Sequence, residues 1–192
     1  MNGLSTDPWK KLSLVKKDIK ILVVGLSKAG KTSILKKINV DDSLKTIPNN
    51  DLIVKTLQFK NTLFTSVDIG GQNFNTDLLK QYYQNINGLI FVLDSCDTQS
   101  FDDVKLQLNN LLAIEELKEV PLLVIANKQD IEGATSPNYM CENFGLVFLR
   151  GRSWLVQTTS AKTGEGIDVG LDWMAEKILN KLTSSILSFF NF

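Results

Sequence analysis

The chain has 192 residues, 43% hydrophobic and 22% charged, proportions of one soluble domain with room for a substantial core. Its 21 Lys and Arg balance 21 Asp and Glu, so the basic excess of a nucleic-acid protein is missing. With no histidine, and with Cys96 and Cys141 far apart, His-based acid–base catalysis is excluded, Cys/His metal clusters are disfavoured, and a reduced, cytosolic compartment is expected. No apolar stretch is long enough to span a bilayer, and the N-terminus lacks a signal-peptide core.

Residues 1–18 form an amphipathic segment. Thr6 or Asp7 can cap a helix with Pro8 at its first position, and Trp9, Leu12 and Val15 recur at three-residue spacing beside Leu4 and Leu14. Lys10, Lys11, Lys16 and Lys17 add positive charge. The pattern suits a helix lying on an anionic membrane surface and equally one packed on the domain. Asn2 occupies the acceptor position of the myristoylation signal and Gly3 comes one residue too late, so no myristate is expected.

Ile19 to Val24 reads as a buried strand that runs directly into Gly25-Leu26-Ser27-Lys28-Ala29-Gly30-Lys31-Thr32, a G-x-x-x-x-G-K-[ST] phosphate loop with a helix after it. Backbone N–H groups of such a loop converge on an anion. Lys31 is expected to reach β- and γ-phosphates, and the Thr32 hydroxyl to hold Mg²⁺, with Ser33 next in the helix that Thr32 to Ile38 completes. Residues 41–51 are polar and contain Pro48-Asn49-Asn50, which predicts a loop near the phosphates.

Leu52 to Phe59 and Thr62 to Asp68 are strand-like runs joined by Lys60-Asn61, a hairpin signal. The second ends in Asp68-Ile69-Gly70-Gly71-Gln72. There Asp68 can hold Mg²⁺ through water, Gly71 can present its N–H to a γ-phosphate, and Gln72 can orient an attacking water. Gly88 to Asp94, Pro121 to Ala126 and Trp154 to Thr159 are further strands, alternating with helical stretches near 76–85, 100–117 and 137–144. Such alternation predicts a parallel sheet wrapped by helices with ligands at the C-terminal strand ends. Phe101, Val104, Leu108, Leu111 and Leu112 lie at helical spacing and belong to the core. Asn127-Lys128-Gln129-Asp130 and Ser160-Ala161-Lys162 each follow a strand end.

Phosphate loop, Asp-x-Gly-Gly-Gln, Asn-Lys-x-Asp and Ser-Ala-Lys, in that order, resemble the motif set of Ras-like small GTPases. Thr46-Ile47-Pro48, Tyr82 within Gln81-Tyr82-Tyr83-Gln84-Asn85, and Gly170-Leu171-Asp172-Trp173 are similar to the ADP-ribosylation-factor and Arf-like branch, a likeness running from about Ile19 to Leu182. The Asp130 carboxylate can accept from guanine N1–H and the 2-amino group, and adenine offers neither donor. The resemblance implies that Asn127 braces the site, the Lys128 stem lies along the base and the Ala161 N–H meets the guanine carbonyl. It also implies GTP/GDP and Mg²⁺ as ligands, and an exchange factor, a GTPase-activating protein and effectors as partners. Location is expected to be cytoplasmic, peripheral on Golgi or other endomembranes.

Three departures stand out. Asn49 replaces the family's Thr after Ile47-Pro48, and its planar amide does not reproduce a hydroxyl on magnesium. Asp51 stands where Gly is usual, and of the effector-facing aromatics only Tyr82 is matched, with Leu52 and Val67 at the other two positions.

The expected architecture is α/β, a P-loop NTPase fold of the small-GTPase type over residues 19–182, with a six-stranded, mostly parallel sheet flanked by helices. A final helix is predicted over Ile167 to Lys181. An uncharged tail over 183–192 includes Ile186, Leu187, Phe189, Phe190 and Phe192, and it either packs on the domain or forms an exposed anchor. It lacks a prenylation Cys. The expected activity is a switch that hydrolyses GTP slowly and regulates membrane traffic, with Gln72 and Lys31 as catalytic groups. The alternative is a hydrolysis-deficient, nucleotide-bound adaptor, suggested by Asn49 and Asp51. A P-loop kinase or ATPase is disfavoured by Asp130.

Overall fold

The computed structural model describes residues 7–15, 18–38, 45–49, 52–59, 62–68 and 82–190. Its strands are β1 (Ile19–Val24), β2 (Lys45–Asn49), β3 (Leu52–Phe59), β4 (Thr62–Asp68), β5 (Gly88–Asp94), β6 (Leu122–Asn127) and β7 (Trp154–Thr158). The helices are α1 (Pro8–Val15), α2 (Lys31–Lys37), α3 (Phe101–Leu112), α4 (Pro137–Asn143) and α5 (Ile167–Phe190). The sheet order is β2-β3-β4-β1-β5-β6-β7. Strands β4, β1, β5, β6 and β7 are mutually parallel, and β2 and β3 extend the β4 side as antiparallel neighbours.

The domain is three layers deep, helices on both faces of the sheet, because the central strands β1, β5 and β6 are buried on both faces, as strands of a parallel sheet are. Period-two alternation divides them. Leu22, Leu89, Phe91, Leu93, Leu122 and Val124 face α3 and α4, where Phe101, Val104, Leu108, Leu111, Met140 and Phe144 complete one buried cluster. Ile21, Val23, Ile90, Val92, Leu123 and Ile125 face the opposite way. There Trp9 and Leu12 of α1, Ile34 and Leu35 of α2, and Leu171, Met174 and Ile178 of α5 close the second cluster. Leu112 and Tyr82 are only partly buried at the first cluster's margin, whereas Tyr83 lies inside it.

Among the described residues the sheet has seven strands rather than six. Lys45–Asn49, expected as loop, pairs antiparallel with β3. Pro48 argues for a loop only if the strand is central; at a sheet edge its missing N–H can face outward. Strands β3 and β4 pair antiparallel, as a hairpin there implied, with Phe59 opposite Thr62; Lys60 and Asn61 lie outside the described residues.

Both chain termini resolve choices that composition left open. Asp7 caps α1, its Oδ1 accepting from the N–H groups of Trp9 (2.9 Å) and Lys10 (3.4 Å). The helix packs on the domain: Leu12 is fully buried, and the Trp9 indole N–H donates to Asp172 Oδ1 at 3.0 Å. Leu14 stays exposed. At the other end α5 runs past Lys181 to Phe190, so the predicted boundary between helix and tail is corrected. Its polar residues there are accommodated, the Thr183 and Ser185 hydroxyls donating back to the Leu179 and Lys181 carbonyls, both at 3.0 Å. Ile186 and Leu187 are exposed. Among the described residues no helix is long and apolar enough to cross a membrane.

Candidate functional site

Three of the predicted site loops leave the sheet at the same end, the C-terminal ends of β1, β6 and β7, with β5 between β1 and β6. After Val24 the chain turns sharply, with Gly25 at φ +144°, Lys28 at +64° and Gly30 at +103°. A Cβ on Gly25 would stand 2.0 Å from the Val92 carbonyl oxygen, and one on Gly30 would stand 2.1 Å from Asn127 Nδ2. Only glycine allows both the backbone angle and the close approach. The Lys31 side chain is buried and folds back across the loop, donating to the Gly25 and Leu26 carbonyls at 2.7 and 2.6 Å. Thr32 and Ser33 follow in the first turn of α2.

One buried side chain joins three of these loops. Asn127, the last residue of β6, donates from Nδ2 to the Ala29 carbonyl at 2.9 Å. Its Oδ1 accepts from the Ala161 N–H at 2.9 Å and from the Thr159 hydroxyl at 3.3 Å. The amide is therefore a brace, as the motif suggested. The Ala161 N–H, expected to face a guanine carbonyl, is committed here to Asn127, so a base could take it only as a shared donor.

Around that brace lies a cavity of about 340 Å³ lined by residues including Lys28, Gly30, Ser33, Lys128, Asp130 and Lys162. Its size suits a nucleobase with its sugar. Ser160 donates to Asp130 Oδ1 at 2.7 Å, and Lys162 Nζ lies 3.7 Å from Oδ2. The Ser160 hydrogen bond, then a backbone hydrogen bond and the Lys162 charge, outweigh partial burial and hold the Asp130 carboxyl below the usual aspartate range, so it is ionised at neutral pH. The Lys128 backbone is left-handed, at φ +69°, and its ammonium is ion-paired with Asp94.

A model of the ADP-ribosylation factor family matches residues 6–178. The chain belongs to that family. An ADP-ribosylation factor relative of this kind is a GTP-binding regulatory switch in membrane traffic; family members are GTPases that bind GTP or GDP, typically with Mg²⁺. The residues fit such a nucleotide: the left-handed glycine turns leave room no side chain could share, and an ionised carboxylate aims into a cavity of nucleoside size.

Not every expected site residue joins this constellation. Asp68 closes β4 next to β1, whereas Asn49 does not come near it. Asn49 is opposite Leu52 and Ile53 opposite Asp68, which puts Asn49 two strand spacings, about 10 Å, outward from β4. Gly71 and Gln72, like Asp51 and most of the predicted helix near 76–85, lie outside the described residues. Two supporting groups escaped the sequence reading. Asp94 holds Lys128, and the Ser95 hydroxyl accepts from Gln129 Nε2 at 2.9 Å. The available signal was positional: Asp94 ends the core strand that pairs with β6, directly opposite Asn127.

Proposed function

We propose that this ADP-ribosylation factor family member cycles between GDP- and GTP-bound forms and hydrolyses GTP slowly on its own, acting on a cytoplasmic endomembrane surface such as the Golgi without myristate. The observation that carries the reading is the Asn127 brace. It holds the phosphate loop, the Asn-Lys-x-Asp loop and the Ser-Ala-Lys loop around one cavity, an arrangement that a merely structural polar loop would not need.

In this reading the backbone of residues 25–30 faces the phosphates and Lys31 neutralises their charge, exchanging or sharing its present contacts with the loop carbonyls. Asp130, kept ionised by Ser160, selects guanine because only that base supplies two donors to a carboxylate. Lys128, steadied by Asp94, lies along the base. Thr32 and, through water, Asp68 hold Mg²⁺, which when bound neutralises phosphate charge. Gln72 positions water, and an activating protein supplies the missing cationic group. Effectors and an exchange factor read the segments flanking β2–β4 and Tyr82.

A second reading, the hydrolysis-deficient adaptor, is favoured by Asn49. Besides replacing a hydroxyl by an amide, this residue sits in the β2 ladder two strands out, so to reach magnesium it must leave the sheet edge. Single-turnover GTP hydrolysis by the full chain, with Gln72→Leu as control, separates the two. Gln72-dependent cleavage supports the switch. Tight GTP binding with no cleavage above the Gln72→Leu variant supports the adaptor. Binding of ATP in preference to GTP would overturn both.

A further inference from the structure

The sheet edge opposite the nucleotide site also carries a cavity, of about 400 Å³. The segments that enter β6 (Glu119 and Pro121) and β7 (Gly151, Arg152 and Ser153) meet α5 there at Lys177 and Lys181. The six-residue length of β6 separates this edge from Asn127 by about 20 Å. The two sites share no residue.

Arg152 is the informative group. Its side chain is half-buried, and its Nη1 is shut off from solvent with no hydrogen-bond partner among the described residues. Burial pushes the guanidinium pKa down, yet arginine keeps its proton in proteins. A buried cationic donor without an acceptor is costly and rare in a folded protein. Two further cations share the cavity, one helical turn apart. Lys181 Nζ donates to the Glu119 carbonyl at 2.9 Å and lies 3.3 Å from its carboxylate. Lys177 lies 3.6 Å from Glu176 and 6.0 Å above the Trp173 ring. These pairs are solvent-exposed on the acidic side, so they neutralise little. Among the described residues lining the cavity, three cations face the single carboxylate of Glu119.

We propose that this cavity binds a phosphate group, held by Lys177 and Lys181 with the Arg152 guanidinium in the cavity wall beside them. The ammonium groups act as point charges on the phosphate oxygens, and the guanidinium adds a fixed positive charge that the phosphate would offset. A concave pocket of this size admits a compact phosphate ester rather than a flat protein surface. Two sources share that chemistry: a soluble phosphate ester and a lipid headgroup. Beside the cavity α5 continues past Ser184 and exposes Ile186 and Leu187, apolar surface that a membrane-borne phosphate would meet at the same time.

The test uses the full chain with excess GDP, so that the nucleotide site is filled. Inorganic phosphate is titrated while the Arg152 side-chain N–H and Trp154 indole resonances are followed by NMR, and flotation is measured with phosphatidylcholine vesicles with and without phosphatidic acid. Saturable shifts at Arg152 and Trp154, with an affinity that, read at the Trp154 indole, weakens about tenfold or more in both Arg152→Gln and the Lys177→Ala/Lys181→Ala double variant, at unchanged GDP affinity, support the site. The double variant removes only surface-helix side chains and keeps the test valid should Arg152→Gln fold poorly. A preference for phosphatidic acid that both variants lose identifies the lipid source; phosphate binding without that preference identifies a soluble ester. Shifts that map to Lys28 and Gly30 instead, absence of both phosphate binding and vesicle preference, or responses that both variants retain would overturn the assignment.

Discussion

Replacing Asn127 by alanine tests whether one amide holds the site together. The side chain makes three hydrogen bonds, to the Ala29 carbonyl, the Ala161 N–H and the Thr159 hydroxyl. Thr159 can rotate toward another acceptor, so two backbone groups are stranded. At about 1–3 kcal/mol for each group left unsatisfied, and with Ala161 only partly buried, the expected loss is roughly 2–4 kcal/mol. For a chain of this length that is a fall in Tm of roughly 5–15 °C, read by thermal unfolding of the GDP-loaded protein. GDP affinity, measured separately by dissociation kinetics, should fall too, because the loops that line the cavity lose their common tie. Asn127→Asp is the informative control. It keeps both accepted hydrogen bonds but sets a carboxylate oxygen against the Ala29 carbonyl, so it should be no milder than alanine. An Asn127→Ala protein melting within about 2 °C of the parent, with unchanged GDP dissociation, would refute the bracing argument.

Gly30→Ala attacks the same contact from the other side: its Cβ would stand 2.1 Å from Asn127 Nδ2 at a φ of +103°. About 1–3 kcal/mol of backbone strain plus displacement of Asn127 should lower both Tm and GDP affinity; a stable variant with parental affinity would contradict the close approach. Leu12→Ala, at a fully buried position in α1, should cost about 2–5 kcal/mol in urea unfolding, and a change below about 0.5 kcal/mol, the size expected of a surface substitution, would mean that α1 does not pack as described. The Asp130 carboxyl is held low chiefly by Ser160, so guanine binding should persist at neutral and mildly acidic pH and fail only as pH drops through that lowered pKa. Ser160→Ala should shift the acid limb of a GDP-binding profile upward, and an unmoved limb would show that Ser160 does not set it.

Chain order alone made much of this molecule legible. Ile19 to Thr32 is a strand, a turn and a helix start in consecutive residues, so its reading depended on neighbours a few positions away. The β3–β4 hairpin was readable for the same reason. Within the loop assigned to residues 41–51, Lys45–Asn49 proved to be a strand because a short stretch with Pro48 becomes one only when a partner edge is present, here β3. The end of α5 was placed too early because the uncharged run after Lys181 reads as a tail until hydroxyls are seen folding back onto the helix.

What the sequence determined by itself is the family, the order of the nucleotide-binding loops and the apolar runs that become the central strands, since spacing and local composition are properties of adjacent residues. What only the tertiary structure decided is which partners those residues take. Asn127 reaches a carbonyl 98 positions away, Trp9 docks on a carboxylate 163 positions away, and Nη1 of the half-buried Arg152 meets no acceptor among the described residues. Such contacts depend on strand order and helix packing, which bring together groups that no local pattern relates.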